Sequence, residues 1–303
     1  RNQEMSFAPD QVTMDDSPAI QYPELHQKIL QMATNAMIFA KLFVPDPIIK
    51  GRTRTYVKEA GNVAIGIQRK GISAPAVLDF TPLTSVSITP DTYGEEVEIP
   101  IEMITDFELG VVDTQMMRLA FRTMYQIELD SWTAIDGAGA ANGNSFAGTG
   151  NTISVTGSTI TVSGGVGLED LNKMNRLIKQ HNFIMKYIAI NPIQEESLRN
   201  LPYPNLFREV TNPLTNEVEQ KLGIWTLLVS NLVPAGTVYG ISDGQNPNNN
   251  YAPMGFMVTK QEITTDIDIQ KRLRKIIPFT SYRKTPYVAN GFCVCKSTGY
   301  STS

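Results

Sequence analysis

Cysteine and histidine are almost missing from this 303-residue chain, which holds only Cys293, Cys295, His26 and His181. A structural zinc site needs four ligands, and beyond GFCVCK the chain offers no other Cys and only the isolated His26 and His181. The two cysteines therefore read as reduced thiols sharing one face of a strand, with no zinc and no cofactor. Long apolar runs are missing too. None approaches the ~20 residues of a membrane span, and residues 1–25 lack the basic start and apolar middle of a secretory signal. The expectation is a soluble, unsecreted chain with no membrane partner. Positive charge is in short supply, with 26 Lys and Arg against 30 Asp and Glu, a formal net charge of −4. A free-standing nucleic-acid binder needs a positive field to release phosphate counterions, so that class is disfavoured, although local contact is not.

Catalytic motifs are equally scarce. The run at 137–143 has a dinucleotide-loop look, but Asn142 takes the place of the third glycine and the run follows a helical pattern. Gly61 and Gly66 have Walker spacing, yet Ile67 stands where lysine must be. Ser145 lacks the flanks of a nucleophile elbow, and neither histidine has a local acid or nucleophile. Glu96, Glu98 and Glu102 alternate on one strand face and in principle suit a carboxylate-dependent hydrolase. A solvated or partner-facing edge is the better reading of them.

What is present is core material, 42% hydrophobic, enough for one large or two modest domains. The most informative run is Glu95 to Gly139. Val97, Ile99, Ile101 and Met103 alternate with Glu96, Glu98, Pro100 and Glu102, the period of a half-buried strand, and Pro100 makes it an edge. A helix follows, capped at Asp113 or Thr114, with Met117, Ala120, Phe121, Met124 and Ile127 as its stripe and a stop at Gly137. Leu119, Met116, Leu129 and Trp132 lie off that stripe, so the helix should be covered on more than one side.

Before this run, residues 1–22 read as an extended arm and 23–43 as a helix with Leu25, Ile29, Met32, Ala33, Ala36 and Met37 on one face, ended by the prolines at 45 and 47. Residues 50–94 hold thin β pieces broken by Gly and Pro, which fits a projecting two-stranded loop; an isolated hairpin is marginal in water, so a partner surface should hold it. After the helix, NTISV and STITV make a hairpin. Leu168 to Gln180 is an amphipathic helix leading into the strand KYIAI, a short helix QEESLRN, and the strands GIWTLLVS and TVYGI. From Gly255 the tail reads as four strands, FMVT, ITTDIDIQ, KIIPFTSY and VANGFCVCK, with the basic QKRLRK between two of them. Lys271, Arg272, Arg274 and Lys275 suit charged contact between subunits, and so do Arg52, Arg54 and Lys70 on the loop. Glu96, Glu98 and Glu102 are their natural counterparts.

The order of these parts, an arm, a β loop, the strand IPIEMI, a long helix with the late acids Asp130 and Asp136, Gly137 with Gly139, an α/β lobe and long terminal strands, resembles the major capsid proteins of tailed double-stranded DNA viruses with the Hong Kong 97 fold. The resemblance implies an α+β subunit, with an arm and helix at 1–50, an extended loop at 51–94, a peripheral domain with a spine helix at 95–149, an axial domain at 150–255 and returning strands at 256–303. It further implies a non-enzymatic protein of the virion capsid, assembled in the host cytoplasm. Copies of itself would form pentamers and hexamers of an icosahedral shell around double-stranded DNA, meeting portal, scaffold, protease and cement proteins. An encapsulin-like compartment of the same fold is the alternative.

Overall fold

The computed structural model describes residues 37–48, 50–59, 83–100, 110–141, 145–147, 152–155, 158–161, 165–199, 207–211, 218–245 and 252–300. The helix expected between 114 and 136 is longer at both ends. It runs as α1 from Gly110 to Ala141, 32 residues, about 48 Å at ~1.5 Å per residue. Nothing in this stretch is proline. Ser131 and Thr123, the polar residues on its buried side, donate their hydroxyls to carbonyls one turn back, at 2.7 and 3.0 Å.

Gly137 does not stop the helix. An added Cβ there would meet nothing within 4 Å, whereas one at Gly139 would lie 3.2 Å from Val294 and 3.4 Å from Lys296. The small residues at the end of α1 let it approach a sheet closely; they are not a terminator.

Two sheets flank α1. The first has five strands, in the order β1 (Val44–Pro47), β14 (Gly255–Gln270), β15 (Lys275–Val288) and β4 (Tyr93–Glu96), with β5 (Ile99–Pro100) also on β15. The second has seven, in the order β10 (Phe207–Thr211), β11 (Val218–Leu222), β12 (Trp225–Val229), β9 (Tyr187–Ile190), β13 (Thr237–Ile241), β16 (Val294–Thr298) and β6 (Ser145–Ala147). Two hairpins complete the strands, β2 (Arg54–Glu59) with β3 (Leu83–Ile88) and β7 (Thr152–Val155) with β8 (Ser158–Thr161). Leu171, Met174 and Ile178 of α2 (Leu168–Gln180) are fully buried against the seven-stranded sheet, and α3 (Pro192–Arg199) follows β9.

Of the expected stripe on α1, Ala120, Met124 and Ile127 are buried, but Met117 and Phe121 are 49% and 62% exposed. Leu119, placed off the stripe by its spacing, is fully buried. The face is rotated because Thr123, Glu128 and Ser131 belong to it. A count of apolar residues misses polar side chains that are buried with partners.

The acidic edge keeps its alternation, with Ile99 buried and Glu96, Glu98 and Pro100 exposed, and lies at the sheet edge as Pro100 requires. It is split into β4 and β5, although the register opposite β15 does not slip. The interruption falls at Val97, whose N–H donates to the Pro278 carbonyl at 3.1 Å. Pro278 has no N–H to return.

Two further expectations change. Residues 37–43, expected to be the end of a helix, bend into a 3-10 turn at Ala40–Leu42 and then enter β1, which pairs parallel with β14; the helix expected before residue 37 lies outside the described residues. FMVT and ITTDIDIQ fuse into the single strand β14, with register shifts between Thr259 and Gln261 and between Gln261 and Thr264 absorbing the break in alternation. Cys293 closes a 3-10 turn before β16, and both cysteines are buried thiols outside any disulfide.

Gly137→Ala should stabilise the unassembled chain by about 0.5–1 kcal/mol, the usual gain for removing glycine from a helix interior. Gly139→Leu should cost about 1–3 kcal/mol through overpacking against Val294. Urea denaturation of both variants checks the pair.

Candidate functional site

Among the described residues, no cluster of three or more His, Cys, Asp or Glu is placed to hold a metal. What the fold presents instead is a set of extensions rooted on a rigid body.

The first root is that of the β2–β3 hairpin. Tyr56 stacks on both Phe256 and Tyr287, which are paired across β14 and β15, with ring centroids 5.0 and 5.1 Å away, and its hydroxyl donates to Asp46 at 2.5 Å. Arg54 reaches the same carboxylate at 2.9 Å. Burial, with the Asp46 bond and charge added, pushes the Tyr56 phenol well up, so it stays a donor. The base of the hairpin is thus aimed by its own subunit, and a partner is not needed to hold it there.

The second is the acidic edge with the basic hairpin tip. Glu98 pairs with Lys275, and Glu95 takes Arg122 at 2.7 Å. Arg272 is exposed in the Lys271–Leu273 turn that joins β14 to β15, and Arg274 follows it with φ +50°. Of the contact residues expected from sequence, Arg52, Glu96 and Arg272 face solvent, while Arg54 and Glu98 are engaged within the subunit. Lys70 and Glu102 lie outside the described residues. Glu98 is committed to Lys275 and Glu96 stands on an open edge, which is not the geometry of a hydrolase pair.

The third root is where the chain enters the body. Glu128, on the buried face of α1, accepts from the backbone N–H groups of Ile38 and Phe39 through Oε1, at 2.7 and 2.5 Å, and from that of Ala40 through Oε2 at 3.1 Å. Phe39 is fully buried 4.8 Å from the Trp132 ring, and Trp132 meets Tyr239 edge-on at 4.6 Å. One turn below, Asp136 receives the Tyr239 hydroxyl at 2.5 Å and Lys296 at 2.7 Å. Burial alone would raise the Asp136 pKa, but the Lys296 and Tyr239 bonds outweigh it and hold the carboxyl below the ordinary range. Spacing did not reveal Glu128 as an anchor. Its signal was a carboxylate at helical spacing between Met124 and Trp132, where an apolar residue belongs.

A family model described as phage capsid protein matches residues 83–277. The chain belongs to the phage capsid protein family. Among curated proteins, none matches its sequence. Solved structures show the fold of the capsid protein. One from Mycobacterium phage Bobi superposes with a TM-score of 0.59 at 9% identity, covering 97% of this chain and 95% of that one. The capsid of Cyanophage P-SCSP1u gives 0.58 at 14% identity, covering 87% and 88%. A holo encapsulin complex from Synechococcus elongatus gives 0.57 at 10% identity, covering 87% of each chain. The fold is that of Hong Kong 97 capsid subunits, with α1 as its spine. The capsid protein is thus a structural subunit of a phage capsid.

Glu128 makes the entry of the chain pH-sensitive. Burial raises its pKa above the ordinary carboxylate value of 4.5, against the opposing pull of three amides and Lys41. The folded state then binds the proton more tightly than the unfolded one, so this contribution is present at low pH and is lost as pH rises through the raised value. The stability difference between wild type and Glu128→Gln should therefore move in favour of wild type as pH falls from neutral towards 4.5. Glu128→Ala, which strands three amides, should cost about 2–3 kcal/mol or more at pH 7. Urea titrations across that pH range read both effects.

Proposed function

We propose that the capsid protein assembles into pentamers and hexamers that close an icosahedral shell around double-stranded DNA, inside the host cytoplasm and without enzymatic activity of its own. The observation that carries this reading is the rooted extension: a hairpin whose base is held by Tyr56, Asp46, Phe256 and Tyr287, on a body whose outer strands have no second strand partner among the described residues. Unprotected edges and projecting hairpins invite pairing unless they are used, and head-to-tail contacts that close around a point give rings and shells. In this reading α1 with the five-stranded sheet forms the peripheral domain, and the seven-stranded sheet with α2 and α3 the axial one.

Arg52, Glu96 and Arg272 carry the charged contacts between neighbours, and Arg274, Lys70 and Glu102 share that role; Arg54 and Glu98 act by stiffening the elements that present these groups. The net charge of −4 makes DNA contact local and non-specific. Portal, scaffold, protease and cement proteins are further partners of such a shell. The encapsulin similarity supports a second reading, a compartment that encloses protein cargo.

Electron microscopy of the purified protein, with nuclease-protected nucleic acid assayed in the same fraction, separates the outcomes. DNA-filled icosahedral particles are expected. Cargo-filled particles without a genome would favour the compartment, and a uniform monomer would overturn both. Arg52→Glu combined with Arg272→Glu should lower particle yield by about tenfold at low salt while circular dichroism of the subunit stays unchanged, because rim charges govern association more than folding. Equal loss of helix signal would assign these residues to the fold instead.

A further inference from the structure

The exposed side of α1 is not an ordinary solvated face. Met117, Phe121 and Tyr125 recur every four residues and are 49%, 62% and 51% exposed, forming an apolar ridge about 12 Å long at ~1.5 Å per residue. Isolated exposed apolar side chains need no explanation, but a contiguous ridge of three large ones marks a contact surface. A groove runs along each flank. One, of about 640 Å³, is lined by Tyr93, Glu95, Phe121, Tyr125 and Tyr282 among others. Tyr282 is 3% exposed and its hydroxyl has no hydrogen-bond partner among the described residues. The other groove, of about 230 Å³, is lined by Ile38, Phe121, Met124, Tyr125, Glu128 and Leu232.

Ile38 identifies the occupant. It is held on the rim by Glu128, so the segment that precedes it joins the body beside Phe121 and Tyr125. That segment carries Leu25, Ile29, Met32, Ala33 and Ala36 at helical spacing, an apolar stripe in want of a surface. As a helix, residues 23–36 would extend about 21 Å, enough to cover the ridge. Charge does not oppose it: residues 23–36 hold one acid, Glu24, and one base, Lys28, while Arg118 is exposed beside the ridge and Arg122 is already paired with Glu95.

We propose that the Met117–Phe121–Tyr125 ridge is the seat of the chain's own segment 23–36, which lays Leu25, Ile29, Met32 and Ala36 across it. The docked segment covers the apolar face of the spine before any neighbour arrives. It also sets the direction in which residues 1–22 leave the subunit. The inference does not depend on shell formation, because it concerns one chain.

Two measurements on the full-length chain, kept unassembled at low concentration, test it. Limited trypsin digestion should cleave after Lys28 at least tenfold faster in Phe121→Asp than in wild type, with circular dichroism unchanged, since residue 121 is already exposed. Equal rates would overturn the proposal. In the second, Tyr125→Cys is combined with Ile29→Cys or Met32→Cys on the stripe, or with Gln27→Cys or Gln31→Cys off it, and oxidised in a mixture of heavy- and light-isotope chains. The native thiols give little background, because both are buried and burial pushes each up to about 12. Disulfides within one chain at the stripe positions, and not at the controls, are expected. No coupling at either stripe position, or coupling only between heavy and light chains, would overturn the assignment; the latter would give the ridge to a neighbour's arm.

Discussion

Everything described above leans on one helix lying against two sheets at once. Its buried face is pinned by polar contacts at three heights: Thr123 to Thr280 at 2.8 Å in the five-stranded sheet, Glu128 to the amides of residues 38–40, and Asp136 to Tyr239 and Lys296 in the seven-stranded sheet. Apolar burial alone is non-directional and would let a long helix slide or rotate by a residue. Buried hydrogen bonds do not permit that, because a slip strands groups whose desolvation has no compensation. The pins fix one rotation and one height, and so fix how the two sheets stand relative to each other.

That rigidity is what a shell subunit requires. Small errors in the orientation of a repeated contact accumulate around a ring, so closure needs the contacting elements aimed from a stiff base. In the proposed shell the Tyr56 stack does this for the hairpin, Glu128 for the incoming chain, and the Lys275 to Glu98 pair for the tip of the longest hairpin. Each root is a residue that an inventory of exposed charges would pass over. The exposed groups Arg52, Glu96 and Arg272 lie at the ends of these supported elements.

The same geometry speaks against the acidic edge as a reaction centre. Work on a glycosidic bond needs two carboxylates held across an enclosed substrate at set spacing. Glu95 and Glu98 are taken by Arg122 and Lys275, and Glu96 stands on an open sheet edge. Among the described residues this charge is paired within the subunit or exposed on the edge, in keeping with the solvated or partner-facing edge expected from the alternation.

Much of this was legible in the residues alone. Period-two alternation from Val97 to Pro100, the helical spacing of Leu171, Met174 and Ile178, and the order of the parts determined the element types and the capsid likeness, because local periodicity is set by backbone geometry and needs no partner. The faces and ends were another matter. That Leu119 is buried while Phe121 is exposed, that α1 runs through Gly137 and Gly139, that β14 is one strand bent by bulges, and that Glu128 holds residues 38–40 were all decided by what lies across the packing interface. A glycine is a stop or a close contact according to whether a neighbour such as Val294 stands within reach of its missing side chain. A carboxylate on a helix is solvated or an anchor according to which amides meet it, and only the tertiary structure brings them there.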